Sequence, residues 1–457
     1  MTEQVPLTVY AQVVHATAHD TQLLPENAFP SPGTAARDVK RHGSVRIAVV
    51  AALIWTLAVP ARADDALPAP LRVGDVVAIA RQRRSEIIAA RARAAATAQR
   101  PAIVSALDDP TISASIDHLP FSELGGRMPM FDRSFTIEQT FPLSRLRGHR
   151  RAGAEADWRR QRASTDRAVL DVELDAAGAF WMLVQVRATV EIVAQQYALA
   201  EQLVAAALAR YTSNTGTQSD VLRAQIEVAR LDAERRALAA EVRGAEVMLN
   251  TSLARAADGA IPALDAVLPE TMPPARDAIS RAAIRRPELR MGQAEIERAE
   301  ADVRVMRSMY APMAMLRTGP AYTMEAGNGW MLMIGITLPI WRGKLRAGVV
   351  EASSMVEMAN ADLDAMRRMI DGQALAARET VIATRERYLA LRDAIVPRAE
   401  QAIAPTMAAY TAGQLPLVSV VEAVQTLWSL QGQREVARAE LGIAWARLAR
   451  ASGQGGK

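Results

Sequence analysis

Two stretches of the chain alternate polar and apolar side chains and then give way to long helical patterns. In the first, Ile112, Ala114 and Ile116 fall on one side, and Thr111, Ser113, Ser115 and Asp117 on the other. A loop with Pro120, Gly125, Gly126 and Pro129 follows. The next run sets Phe135, Ile137 and Phe141 opposite Ser134, Thr136, Glu138 and Thr140. A period of two predicts strands with one wet and one dry face. The alternation stops at Pro142, and no proline occurs from Leu143 to Arg210. That run predicts a helix of roughly 100 Å at 1.5 Å per residue. The helix that returns carries Ala224, Val228, Leu231, Leu238, Val242, Ala245 and Leu249 in steps of four and three, with Arg235 as the charged interruption. Such spacing is a coiled-coil seam.

The same order recurs further along. Arg84-Ser85-Glu86 aligns with Arg286-Pro287-Glu288, Pro142 with Pro339, and Tyr211 with Tyr410, at separations of 202, 197 and 199 residues. A repeat this long is a duplicated domain half rather than a solenoid unit. A weak helical pattern at Leu71–Arg100 opens the first half. In the second half, Trp330, Leu332, Ile334, Ile336 and Leu338 oppose Met331, Met333, Gly335 and Thr337. The strand before it, Met313–Met324, is less regular because Arg317 and Pro320 intrude. Pro397 and Pro405 predict a kink or break in the long helix that begins near Trp341. The organisation expected is a first repeat at 71–254, a Pro-rich linker at 255–275 and a second repeat at 276–452.

Lys40, Arg41 and Arg46 precede the apolar run Ile47–Val59, and Ala61-Arg62-Ala63 follows. A basic region, a short apolar core and a small-x-small site predict a secretory signal peptide at 40–63. Residues 1–39 then read as an over-extended start or a disordered extension. His15 and His19 have ligand spacing but lie in that upstream segment. The chain has no cysteine. Disulfides, cysteine catalysis, thiolate metal sites and a lipid-anchored N-terminus are thereby excluded. The net charge is +4, with acids and bases interspersed, which is not the footprint of a nucleic-acid binder. No nucleophile elbow, phosphate loop, zinc-protease or dinucleotide motif occurs, so no enzyme activity and no cofactor are expected.

Strands with one wet and one apolar face are what a membrane barrel wall requires, at about 9–11 residues per crossing. Open edges are excluded in lipid, and the four strands expected of one chain cannot close a barrel. Three copies would give twelve strands; two would give a narrow barrel with little lumen. Pro142 and Pro339 would then mark the strand-to-helix junctions, where the chain leaves the bilayer.

At this point the chain resembles the TolC-type outer-membrane efflux proteins, over essentially all of Leu71–Ser452. The resemblance rests on the paired strand-Pro-helix junctions and on the turn signature of Tyr410, Gly413, Ser419, Val420 and Ala423. It also rests on the first-half counterpart Asp220–Gln225 and on Arg285–Arg290. The Asp220–Gln225 turn and the stretch Thr318–Trp330 resemble those of the heavy-metal efflux members. The fold implied is mainly α with membrane β. It is a duplicated repeat of two strands and a long helix pair, assembled as a trimeric twelve-stranded barrel with four strands per chain. A periplasmic helical coiled-coil barrel continues it. The resemblance implies a homotrimer in the outer membrane of a Gram-negative bacterium, in contact with its lipid. A periplasmic adaptor and an inner-membrane pump of the resistance-nodulation-division type would be its partners. Its role would be a passive exit duct, with cations such as copper and silver, or cobalt, zinc and cadmium, as cargo of the subgroup. A duct for drugs or secreted polypeptides is an alternative on the same fold, and a soluble periplasmic adaptor is an alternative on another.

The helix turns at Thr212–Gly216 and Thr411–Pro416 would form the periplasmic tip. The resemblance carries a phenol-to-carboxylate pair onto Tyr410 and Asp220, and an acidic ring onto Glu422. Tyr211 is the repeat counterpart of Tyr410. Ser419 stands where the family has an acid, and Leu415 where it has a basic latch. Alternatively, Asp220 caps its helix and Glu422 is a solvated face residue. Glu138, Met331 and Met333 fall on the expected lumen side. Thioethers suit Cu(I) or Ag(I), or they fill packing gaps. No ligand-spaced cluster marks a metal site. Arg147, His149, Arg150 and Arg151 fall near the expected membrane edge, facing anionic lipid or solvent.

Overall fold

The computed structural model describes residues 66–117, 132–323 and 325–454. The leader and the upstream segment, the loop with Pro120 to Pro129, and Met324 lie outside the described residues. The first half runs β1 (Leu71–Arg72), α1 (Val73–Arg83), α2 (Ser85–Ser105), β2 (Thr111–Asp117), β3 (Asp132–Pro142), α3 (Leu146–Thr212) and α4 (Gln218–Ser252). The second runs β4 (Leu264–Asp265), α5 (Arg276–Ala283), α6 (Pro287–Ser308), β5 (Met313–Thr323), β6 (Gly327–Thr337), α7 (Arg342–Ala390), α8 (Val396–Thr411) and α9 (Leu417–Ala451).

The duplication extends to atomic detail. Arg84 and Arg286 each occupy the extended position before a helix, and each forks onto the glutamate two residues on. The contacts are 2.9 and 2.7 Å from Arg84 to Glu86, and 3.1 and 2.8 Å from Arg286 to Glu288. The two helix turns match at the 199-residue offset as well. Asn214 and Gly413 take positive φ, 56° and 78°. The N–H of Thr215 bonds the Arg210 carbonyl at 2.9 Å, as Gln414 bonds Ala409 at 2.8 Å. A left-handed residue at that point lets the chain reverse while satisfying carbonyls at the helix end.

Of the seam expected on α4, Val228 and Val242 are half-buried, and Ala224, Leu231, Leu238, Ala245 and Leu249 are buried. They meet Ala200, Leu203 and Ala207 of α3 in one part of the bundle, and Phe180, Trp181 and Leu183 in another. Alanine at these positions lets helix axes come close. Arg235 stays out of the seam, bonding Asp232 at 3.2 Å and lying 5.2 Å from the Tyr197 ring.

Several local expectations change. The opening helical pattern is two helices broken at Arg84, not one. Pro142 ends β3 opposite Met313, and α3 starts at Leu146. Pro339 lies beyond the end of β6, and α7 starts at Arg342. Neither proline occupies a first helical turn: Pro142 is the last residue of β3, and Pro339 lies between the end of β6 at Thr337 and the start of α7 at Arg342. A π-turn at Leu391–Ile395 precedes Pro397, where the missing N–H removes a helical bond. Pro405 sits inside α8 without ending it.

The linker is built into the core. β4 pairs in parallel with β1, Leu71 beside Leu264. Its prolines leave carbonyls without local partners, and arginines from three helices reach them. Arg187 of α3 bonds Pro262 at 2.8 Å, and Arg438 of α9 bonds Ala266 at 3.0 Å. Arg378 and Arg385 of α7 bond Pro274 and Glu270 at 2.9 and 2.7 Å.

Candidate functional site: the two-faced sheet and the helical tip

Four strands form one antiparallel sheet in the order β2-β3-β5-β6. The registers place Ile112, Ile137, Thr318 and Leu332 in one cross-strand row, and Thr111, Glu138, Arg317 and Met333 in the next. Alternation along each strand therefore becomes two continuous faces. One face is apolar and uncovered. Trp330, Leu332, Ile334 and Ile336 are 71, 65, 71 and 61% exposed, and Ile112, Ile116, Phe135 and Ile137 share their face. The indole N–H of Trp330 donates to Thr318 Oγ1 at 2.7 Å, so even this polar group is satisfied within the apolar face.

The opposite face is polar. Ser113 and Thr136 exchange a hydroxyl hydrogen bond at 2.9 Å, and Ser115 and Ser134 at 2.7 Å. Glu138 accepts from Arg317 Nε at 2.8 Å and also from the second guanidinium nitrogen. Arg317 looks like an intrusion in its own strand. Register explains it, since Arg317 faces Glu138 on one side and Met333 on the other. Met331 and Met333 line a concavity of about 360 Å³ with Ser113, Ser134, Thr136 and Arg317. Among the described residues, the outer edges of β2 and β6 have no strand partner.

The other end of the long helices is the pair of turns. Tyr410 is buried, 2% exposed, with Leu203, Ala207, Leu417 and Val420 in the same core. Its hydroxyl has no hydrogen-bond partner among the described residues. Burial pushes the phenol up, the Asp220 carboxylate adds to the effect, and the Arg210 guanidinium opposes it. Asp220 is thus close enough to act on Tyr410 electrostatically, but its bond goes elsewhere. Its carboxylate accepts the Thr217 N–H at 3.3 Å, while Thr217 Oγ1 accepts the Asp220 N–H at 3.2 Å. That reciprocal capping box starts α4.

Ser419 occupies the matching position of α9, where its N–H bonds the Pro416 carbonyl at 3.2 Å. Glu422, one turn on, is exposed, and so is Tyr211, the counterpart of Tyr410. The two tyrosines thus part company despite their alignment. The reason is Arg210, a residue that sequence reasoning passed over. Its guanidinium lies 4.7 Å from the Tyr410 ring. It donates to the Tyr410 carbonyl and, at 2.8 Å, to the Thr215 carbonyl, tying both turns together. The signal was present: Arg210 aligns with Ala409, a charged-to-small difference beside an otherwise matched tyrosine. Among the described residues no group of three or more His, Asp or Glu side chains is placed to hold a metal ion.

No protein-family model matches this chain, and no curated protein matches it. Solved structures do match. The outer-membrane channel OprN superposes with a TM-score of 0.71 at 18% identity, over 84% of this chain and 90% of that one. CusC, described in terms of folding and transmembrane channel formation, gives 0.74 at 13% identity, over 84% and 92%. The outer-membrane protein VceC of Vibrio cholerae gives 0.70 at 16% identity, over 84% and 96%. The chain has the fold of these channel proteins, mostly helical with few strands, in which an α-helical barrel part adjoins a β-barrel part.

Proposed function

We propose that the chain is the outer-membrane exit duct of a tripartite efflux system, working as a homotrimer with twelve strands in the bilayer. The observation that carries this is the uncovered apolar face of the sheet, joined directly to the long helices. Side chains of this size are worth about 1.5–3 kcal/mol each when buried. Leaving the apolar face in water would forgo on the order of 20 kcal/mol, more than the whole stability of a typical domain. A soluble adaptor would have no means of recovering that energy; a bilayer supplies it. The unpaired edges of β2 and β6 suit closure by neighbouring copies, since lipid tolerates no open edge. The likeness of fold to outer-membrane channels points the same way.

In this assembly Glu138, Arg317, Met331 and Met333 line the lumen. Pro142 and Pro339 stand at the junctions where chain leaves the membrane. The turns with Tyr211, Tyr410, Asp220, Ser419 and Glu422 form the periplasmic tip, and three Glu422 side chains form an acidic ring that favours cations. The tip meets a periplasmic adaptor and a resistance-nodulation-division pump. The duct carries out no chemistry on its cargo, holds no cofactor and contacts no nucleic acid. The cargo we favour is heavy-metal cations such as copper and silver, or cobalt, zinc and cadmium, supported by the subgroup resemblance of the Asp220–Gln225 turn.

The test is a deletion strain challenged with these metals, with drugs and with dyes, alongside single-channel recording of the detergent-purified protein. Metal sensitivity and trimer-sized channels are expected. A monomer soluble without detergent would refute the duct, and drug sensitivity without metal sensitivity would refute the cargo.

A further inference from the structure

The sheet end from which both long helices leave carries a charge pattern that conduction does not require. Pro142, Met313 and Thr337 lie in one cross-strand row there, and the Leu143 N–H bonds the Pro312 carbonyl at 3.3 Å. Past that row the apolar face continues outside the sheet, with Leu143, Leu338, Ile340 and Trp341 all exposed. Cations follow at once. Residues 142–151 contain Arg145, Arg147, Arg150 and Arg151, and residues 338–346 contain Arg342, Lys344 and Arg346, with no acid in either stretch.

Most arginines elsewhere in this protein face a carboxylate. Here Arg145, Arg150, Lys344 and Arg346 are exposed and have no acidic partner among the described residues. Arg147 donates to the Ser105 carbonyl at 2.7 Å, Arg151 pairs with Glu155 at 2.8 Å, and Arg342 lies 5.6 Å from the Tyr310 ring. The acids near these cations are Asp108, which shares a concavity with Arg147 and Arg150, its neighbour Asp109, and Asp157 and Asp302, which share a second concavity with Arg150. Helices α1, α2, α4, α5 and α6 each carry an acid in the first turn; α3 and α7, like α8 and α9, carry none. Cations are therefore kept where the helix field disfavours them, directly below an apolar belt ending in an exposed tryptophan. Aromatic and basic side chains in that sequence match a bilayer interface.

We propose that this collar binds the phosphate groups of acidic phospholipids in the leaflet from which the helices emerge. Charge complementarity and continuity with the lipid-facing sheet select that occupant. The proposal rests on the outer-membrane placement above. Lipopolysaccharide phosphates belong to the other leaflet, beside the hairpin end of β5 and β6.

The test uses the full chain, reconstituted in phosphatidylethanolamine vesicles with or without phosphatidylglycerol, then extracted and weighed intact with its retained lipid. The wild-type trimer is expected to retain phosphatidylglycerol over phosphatidylethanolamine. Neutralising Arg145, Arg150, Lys344 and Arg346 to glutamine is expected to lower that retention roughly fivefold per cation removed. Lys344→Arg keeps the charge and is expected to keep the preference. Should the quadruple variant fail to assemble, Lys344→Gln and Arg346→Gln are measured singly, and unchanged retention in both overturns the collar. Equal retention of both lipids, or displacement of phosphatidylglycerol by added lipopolysaccharide, also overturns it. Failure to enter any vesicle would instead sink the channel assignment, and the collar with it.

Discussion

Replacing Glu288 by glutamine tests how the helices are held together midway along the molecule. Glu288 accepts from Arg286 Nη2 at 2.8 Å and from Arg450 Nη2 at 2.6 Å. Arg450 also donates to Asp171 at 2.6 Å, and Arg286 to Gln373 at 3.2 Å. One knot thus joins α3, α6, α7 and α9. Burial raises the pKa of Glu288. The bonds from Arg286, its backbone N–H and Arg450 outweigh burial and bring the value from 4.5 to about 2. A difference of that size corresponds to about 3 kcal/mol, at 1.36 kcal/mol per unit. The side chain is only 12% exposed, so solvent screens little of it.

The sign follows from the depressed value: this stability is fully present above pH 4.5 and is lost as pH falls toward 2. Glu288→Gln is expected to cost about 3 kcal/mol at neutral pH, since it leaves two buried guanidiniums short of a partner. It is also expected to flatten acid sensitivity between those two pH values. Glu86→Gln removes the same fork in the first half, where the glutamate is 55% exposed, and should cost a few tenths of a kcal/mol. The assay is denaturant unfolding in detergent, followed by circular dichroism at several pH values. Equal costs for the two variants, or an acid profile unchanged in Glu288→Gln, would refute the reasoning.

Gly442 faces Trp181, and an added Cβ would lie 2.2 Å from the indole. Gly442→Ala should therefore cost about 1–3 kcal/mol in a thermal melt, whereas Gly432→Ala, with open space around it, should be neutral or stabilising. Arg210→Ala removes the guanidinium that ties the two tip turns, and should raise single-channel conductance and protease cleavage at the turns. Arg210→Lys should not rescue it, because a single ammonium lacks the planar fork that spans both carbonyls; unchanged behaviour of both variants would clear Arg210 of that role. Ile334→Arg puts a charge on the apolar face, at a cost of about 2–4 kcal/mol in lipid, and should lower membrane assembly, whereas Met333→Arg on the opposite face should not; equal assembly would count against the faces.

The sheet faces were legible because period two assigns each side chain a side before any partner is known. The register of the helix pairs was legible because the tyrosines and the left-handed residues repeat at one offset. What the sequence hid depends on residues far apart along it. Arg317 seemed out of place until β3 supplied Glu138, and β1 and β4 are too short to carry a pattern. The linker prolines read as punctuation, but the carbonyls of Pro262 and Pro274 are the acceptors that Arg187 and Arg378 need, and that of Ala266 serves Arg438. At the tip, a carboxylate near a phenol suggested a bond. The local cap won, because Thr217 lies three residues from Asp220 and costs little chain entropy to reach.

The absence of cysteine permits the most direct test of the membrane wall. Single cysteines at positions 330 to 337 of the reconstituted protein would be probed with a membrane-impermeant thiol reagent. Labelling confined to the odd positions, with the even positions reached only by a lipid-soluble reagent, is the predicted result. Water-accessible labelling at all eight positions would contradict the account.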